Sequence, residues 1–185
     1  MYATKPIPSG TIITYFPVHA IKIKDDIDIC GTQDDEFIKK MNIMVRDYGS
    51  YISLIKDISI IGNPNNTSNK LLLGHMINDP SGNVFKDIKY DDTKNLINFK
   101  NIFAAYYMNG SKKRNCTFKM DDNECVLCVV TTRNINANEE LLEFKEPQYW
   151  YNYTYGINVE NYAYDHTIKI MSDNKFIDWL RSLLQ

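Results

Sequence analysis

The sequence contains no run approaching the roughly 20 consecutive apolar residues that a membrane-spanning helix needs. Its three histidines, His19, His75 and His166, form no recognisable nucleophile–base triad, and no glycine-rich phosphate loop is present. Neither sign of charge dominates: the formal net charge is -2, which argues against a broad nucleic-acid-binding surface. The short basic run Lys112-Lys113-Arg114 reads as a solvated loop rather than a DNA site. The N-terminus lacks an apolar signal core and carries Lys5, Pro6 and Pro8 instead, so an intracellular, non-exported protein is expected. Without export, the Asn-x-Ser/Thr triplets at Asn66 and Asn152 carry no glycan.

Cysteine is sparse too: Cys30, Cys116, Cys125 and Cys128. Free thiols are expected outside an oxidising compartment. Cys125 and Cys128 make a C-x-x-C, but they lie in an apolar run, Cys125 to Val130, that reads as a buried strand. A zinc site needs about four ligands, and only Cys116 is available to join them. No metal site is expected.

What is present suits a folded domain. The chain has 185 residues, 44% of them hydrophobic and 24% charged, enough for one domain with a sizeable core. Short strand-like runs separated by turns dominate. Thr11 to Tyr15 follows a Pro-Ser-Gly turn, and His19 to Ile23 is a second strand. Tyr51 to Ile55 and Ile58 to Ile61 alternate as a hairpin, ended by the loop Gly62 to Asn66. Asp34 to Asn42 and Lys70 to Ile77 read as short helices, the latter stopped by Asp79-Pro80. Asp91 to Phe103 is compatible with helix or strand. Ser172 or Asp173 is placed to cap a packing helix over Asn174 to Leu184, whose apolar face carries Phe176, Ile177, Leu180, Leu183 and Leu184, widened by Trp179. The expected class is mostly β with short helices (α+β).

Three ordered segments resemble SET-domain protein-lysine methyltransferases. Ala3 to Ile13 is similar to that family's opening strand–turn–strand. Leu73-Gly74-His75-Met76-Ile77-Asn78-Asp79-Pro80 resembles its arginine-phenylalanine-isoleucine-asparagine-histidine-serine motif. His75 falls on the arginine, Asn78 on the asparagine and Asp79 on the histidine. Asn115-Cys116 resembles the motif's second asparagine, displaced by an insertion over about 81–114. Arg133 to Leu142 resembles the family's arginine-aspartate-isoleucine-x-alanine-glycine-glutamate-glutamate-leucine run. Asn138 stands at its turn glycine, and Asn tolerates a left-handed backbone better than most residues. Tyr149-Trp150 then resembles the tyrosine-tryptophan of short viral members.

The resemblance implies a single SET-like domain over 1–185, built of small sheets around a knot-like crossing, with a C-terminal helical segment at about 172–185. It implies S-adenosylmethionine as cofactor, held by His75, Asn78, Asp79 and Asn115, with Asp79 engaged largely through backbone and a structural role in place of arginine as the favoured alternative for His75. It implies a protein substrate such as a histone tail. The clusters Asp25-Asp26-Asp28 and Asp34-Asp35-Glu36 would attract a basic tail, or are solvated loops.

Lysine methylation needs the amine positioned against the methyl group, water excluded, and an ammonium of pKa about 10.4 deprotonated. An aromatic channel meets all three needs by desolvating and orienting the amine. Phe144, Tyr149 and Trp150 are its expected walls, with Tyr151, Tyr153 and Tyr155 nearby; core packing is the alternative. Tyr51 falls where the family places one active-site tyrosine, and it also reads as a core residue. Counted without gaps from Glu139-Glu140, the family's catalytic tyrosine is Lys145 and its following glycine is Glu146. With a one-residue shift the position is Phe144, a ring without a hydroxyl. The family's glycine-x-glycine cofactor loop has no counterpart ahead of Ala3. The expectation is therefore a methyltransferase with a diverged site, with a catalytically inactive SET-fold binding or structural protein as the alternative.

Overall fold

Seven short strands, three α-helices and two short 3-10 turns account for the regular structure of the described residues. In chain order they are β1 (Ile12–Tyr15), β2 (Ala20–Ile23), β3 (Asp26–Ile29), β4 (Tyr51–Ile55), β5 (Ile58–Ile61), α1 (Leu96–Ser111), β6 (Cys116–Asp121), β7 (Val126–Thr131), α2 (Glu160–Met171) and α3 (Asn174–Leu184). The computed structural model describes residues 1–23, 26–29, 51–55, 58–63, 65–85, 88–89, 94–121, 126–145, 150 and 160–184. The fold is mostly β with short helices, as expected. The helix expected over Asp34 to Asn42 lies outside the described residues, as do Glu146, Tyr149, Tyr151, Tyr153 and Tyr155.

The chain divides into two compact units. The first comprises 1–78 and 115–143, the second 79–114 and 144–185.

The first unit holds both sheets, β1-β7-β6 and β3-β2-β5-β4, all antiparallel. β7 is central in its sheet, which explains its unbroken apolar run: Leu127, Cys128 and Val129 are all buried. Cys116 and Cys128 are buried. The core gathers Ala3, Ile77, Cys116, Val129, Ile135 and Leu141, beside a smaller cluster of Phe16, Ile60 and Leu127. The N-terminal segment runs along 131–141 in opposite direction. Ile7 and Ile135 exchange two backbone bonds of 3.0 and 2.9 Å, Ala3 N–H donates to Glu139 O at 2.9 Å, and Leu141 N–H donates to Met1 O at 2.8 Å. Asn138 turns the chain between them with φ 64°, the left-handed conformation its side chain tolerates.

One expectation changes here. Lys70 to Ile77 is not helical beyond one 3-10 turn at Gly74–Met76. Its backbone is taken by β1 instead: Leu71 O accepts from Tyr15 N at 2.8 Å, and Leu73 N–H donates to Thr14 Oγ1 at 2.8 Å. Glu140 and Leu142 pair only through isolated bridges, Tyr2 with Glu140 and Asn78 with Leu142.

The second unit is helical. α1 resolves the ambiguity of Asp91 to Phe103. Phe99, Phe103, Tyr106 and Gly110 are buried at spacings of three and four, a helical stripe that becomes visible only past Phe103. Asn95 caps it, its Oδ1 accepting from Ile97 N at 2.8 Å. Asp173 caps α3 through a 3.2 Å bond from Phe176 N and pairs with Lys100. α2 is the element with no forewarning in the sequence; of its described side chains only His166 and Ile170 are buried. The core of this unit is Phe85, Phe99, Phe103, Ala104, Tyr106, Ile170 and Leu180, with Phe144, Trp150 and Phe176 packed against it.

Two glycines make close ring contact possible. A Cβ on Gly82 would stand 2.3 Å from the Trp150 indole, and one on Gly110 would stand 2.3 Å from both Phe144 Cε1 and Ser81 Oγ. Gly110→Ala would gain about 1 kcal/mol of helix propensity. It would lose about 1–3 kcal/mol by overpacking against a ring that cannot retreat. Net destabilisation of about 1 kcal/mol is expected, read as a lower urea midpoint.

Candidate active site

In the first unit, two asparagines address the segment 139–143. Asn115 is fully buried, and its carboxamide works like a short piece of strand. Oδ1 accepts from Leu142 N at 2.8 Å, while Nδ2 donates to Glu140 O at 2.7 Å and to Glu139 Oε1 at 3.1 Å. Its backbone N–H, like that of Cys116, donates to Leu142 O at 3.1 Å. Asn78 bridges Leu142 in parallel, and its carbonyl accepts from Glu143 N at 3.0 Å. Asn78 Nδ2 donates to Glu140 Oε1 at 2.7 Å, but the residue itself is exposed.

Glu139 anchors the same segment. It pairs with Arg133 and accepts from Asn136 N at 2.9 Å. The Arg133 bond, then the Asn136 and Asn115 donors, hold its carboxyl down from 4.5 to about 2, against a smaller opposing effect of burial. His75 lies in this unit, buried, with its ring edge-on to Phe16 at 6.2 Å and to His19 at 6.0 Å. Tyr51 lies on β4 opposite Ile61; its side chain is outside what the structure describes.

In the second unit the organising group is Asp79. Its Oδ2 accepts from the Tyr106 hydroxyl, from Lys145 N at 2.7 Å and from Trp150 Nε1 at 3.0 Å. Its Oδ1 accepts from Ser81 N at 2.6 Å. The Asp79 side chain is thus committed to protein donors. Phe144 packs in a cluster of rings, with centroids 5.2 Å from Tyr106 and 5.0 Å from Tyr107, and the Arg114 guanidinium lies 5.6 Å from its centroid. Trp150 stacks on Phe85 at 6.4 Å. Lys145 is half-buried. Burial pushes its amine down from the ordinary 10.5, and the Asp79 charge opposes that shift without cancelling it.

The structure therefore brings together Asp79, Phe144, Lys145 and Trp150 in one unit, and Asn78 with Asn115 in the other. His75 packs instead against Phe16 and His19. Sequence reading missed Tyr106 and Tyr107, which the insertion supplies. Their signal was the helical stripe of α1, which places Tyr106 inward in step with Phe99 and Phe103.

The SET domain family model matches residues 1–143, and the chain belongs to the SET-domain family. The match ends at Glu143, immediately before Phe144-Lys145-Glu146. No curated protein matches the chain.

Two pH dependences follow. Glu139 has a folded-state pKa below its unfolded value, so its contribution is complete above pH 4.5 and is lost as pH falls towards about 2. Glu139→Gln is expected to remove about 1 kcal/mol at neutral pH, solvent screening limiting a surface pair, and to flatten the acid limb of a stability–pH curve. Lys145 shifts in the same direction for a different reason, burial penalising its charged form. The unfolded chain binds its proton more tightly, so stability rises with pH up to 10.5. Lys145→Met is expected to stabilise by about 1 kcal/mol near neutrality, an advantage that shrinks in urea titrations repeated towards pH 10.5.

Proposed function

We propose that this SET-domain protein is an S-adenosylmethionine-dependent protein-lysine N-methyltransferase with a diverged active site. The observation that carries the reading is the pair Asn78 and Asn115, standing on the family's motif and both bound to the segment 139–143. Asn78 suits a polar cofactor, because its carboxamide is exposed and lies beside the Glu140 carboxylate, so an acceptor pair faces solvent there. The backbone around Asp79 is the second proposed contact, its carboxylate being engaged elsewhere. When bound, S-adenosylmethionine supplies an electrophilic methyl group.

The chain's own residues do the rest. Phe144 and Trp150 provide apolar surface that strips water from an incoming lysine and lowers its pKa. A cationic Lys145 would repel that ammonium; its own lowered pKa weakens the repulsion by raising its neutral fraction. The proposed substrate is a protein lysine, with a histone tail as the first to try, in an intracellular setting. Among the described residues, no helix is long and apolar enough to cross a membrane.

A second reading, a SET fold used for binding without catalysis, is favoured by the lack of a hydroxyl on Phe144 and Lys145. Calorimetry with S-adenosylmethionine, and transfer of its labelled methyl to histones or cell lysate, separate the two. Binding with transfer to lysine is expected. Neither binding nor transfer would sink the methyltransferase reading. Binding without transfer, with transfer appearing in Lys145→Tyr, would establish the second.

A further inference from the structure

The Asp79 oxygen Oδ2 collects donors from three separate stretches of chain. The Tyr106 hydroxyl comes from α1 in the insertion, the Lys145 N–H from the position of the family's tyrosine, and the Trp150 indole N–H from the segment beyond it. Three donors on one carboxylate oxygen is a dense arrangement, and each is stronger for the acceptor's charge. Tyr106 is 0% exposed. It therefore cannot touch a substrate, and its hydroxyl acts through Asp79. Its ring meanwhile fills the core between Phe85 at 5.5 Å and Phe144 at 5.2 Å. A ring alone would do that packing as phenylalanine. Burying the hydroxyl without a partner would cost about 1–3 kcal/mol, and Asp79 removes that cost.

We infer that Tyr106 is a positioning residue: through the shared Asp79 oxygen it fixes the backbone at Lys145 and the indole of Trp150, so that the inserted helix builds the site rather than decorating it. The family's tyrosine hydroxyl is lost at 144–145, and a hydroxyl from the insertion holds the main chain at that same place. This inference concerns how the site is assembled and holds whether or not the chain transfers methyl groups. It also accounts for the neighbouring glycines. Gly82 admits the indole and Gly110 admits the Phe144 ring, and both contacts flank the same hub.

Tyr106→Phe keeps the ring and deletes the hydroxyl. Hydrogen exchange followed by NMR on the full chain is the test. Exchange about tenfold faster is expected at the Lys145 amide and the Trp150 indole N–H, the scale of one lost hydrogen bond. The amides of Phe103, Val129 and Ile135 should keep wild-type rates. The Lys145 ε-carbon should titrate closer to 10.5, as its amine gains water. Unchanged exchange at Lys145 and Trp150, or a uniform acceleration at every amide, would overturn the inference. Should the variant not fold, the wild type decides. A slowly exchanging Tyr106 hydroxyl proton with a nuclear Overhauser effect to the Trp150 indole N–H is expected, and its absence would refute the role.

Discussion

A buried backbone that lacks a full strand partner must find its hydrogen bonds elsewhere, and the segment 139–143 is in that position. Leu141 is buried, yet the segment makes only isolated bridges. Its groups are met piecemeal: Met1 O takes the Leu141 N–H, the Asn115 carboxamide serves Leu142 N and Glu140 O, and Asn78 O takes the Glu143 N–H. Much of the first unit follows from this need. The N-terminal residues must run beside 131–141, Asn138 must turn with φ 64°, and Asn115 must be buried. An asparagine is well suited because one side chain carries a donor and an acceptor at the spacing of a peptide group.

The second unit answers to a different constraint, the satisfaction of the Asp79 carboxylate. A half-buried carboxylate needs donors, and four reach it from Ser81, Tyr106, Lys145 and Trp150. A single aspartate therefore fixes more than one contact. It makes an anionic centre that α1 serves through Tyr106. The same charge opposes the effect of burial on Lys145, so Asp79 and Lys145 are electrostatically linked.

Much of the strand set was legible from local pattern. β1, β2, the β4–β5 hairpin and the apolar run of β7 appear where alternation and turn residues place them. α3 begins after its aspartate cap, and the left-handed turn falls on Asn138. The errors share one cause. Lys70 to Ile77 had helical spacing, but β1 claimed its backbone through Tyr15 and Thr14, a competition invisible to a local window. α1 was undecided because its stripe crosses the window edge at Phe103. Of the candidate site, Asn78 and Asp79 were readable from motif order, whereas Tyr106 carried no motif at all.

The sequence by itself determined the family and the placement of β1, β2, β4, β5 and β7, because each is written in short stretches of neighbouring residues. The tertiary structure alone decided what the polar side chains are engaged with. Asp79 meets Tyr106, Lys145 and Trp150 across 27, 66 and 71 residues. Asn115 is spent on a segment 24 to 27 residues away. A polar side chain has a small, fixed hydrogen-bonding capacity, and whether any is left for a ligand depends on which distant groups the fold has already brought to it.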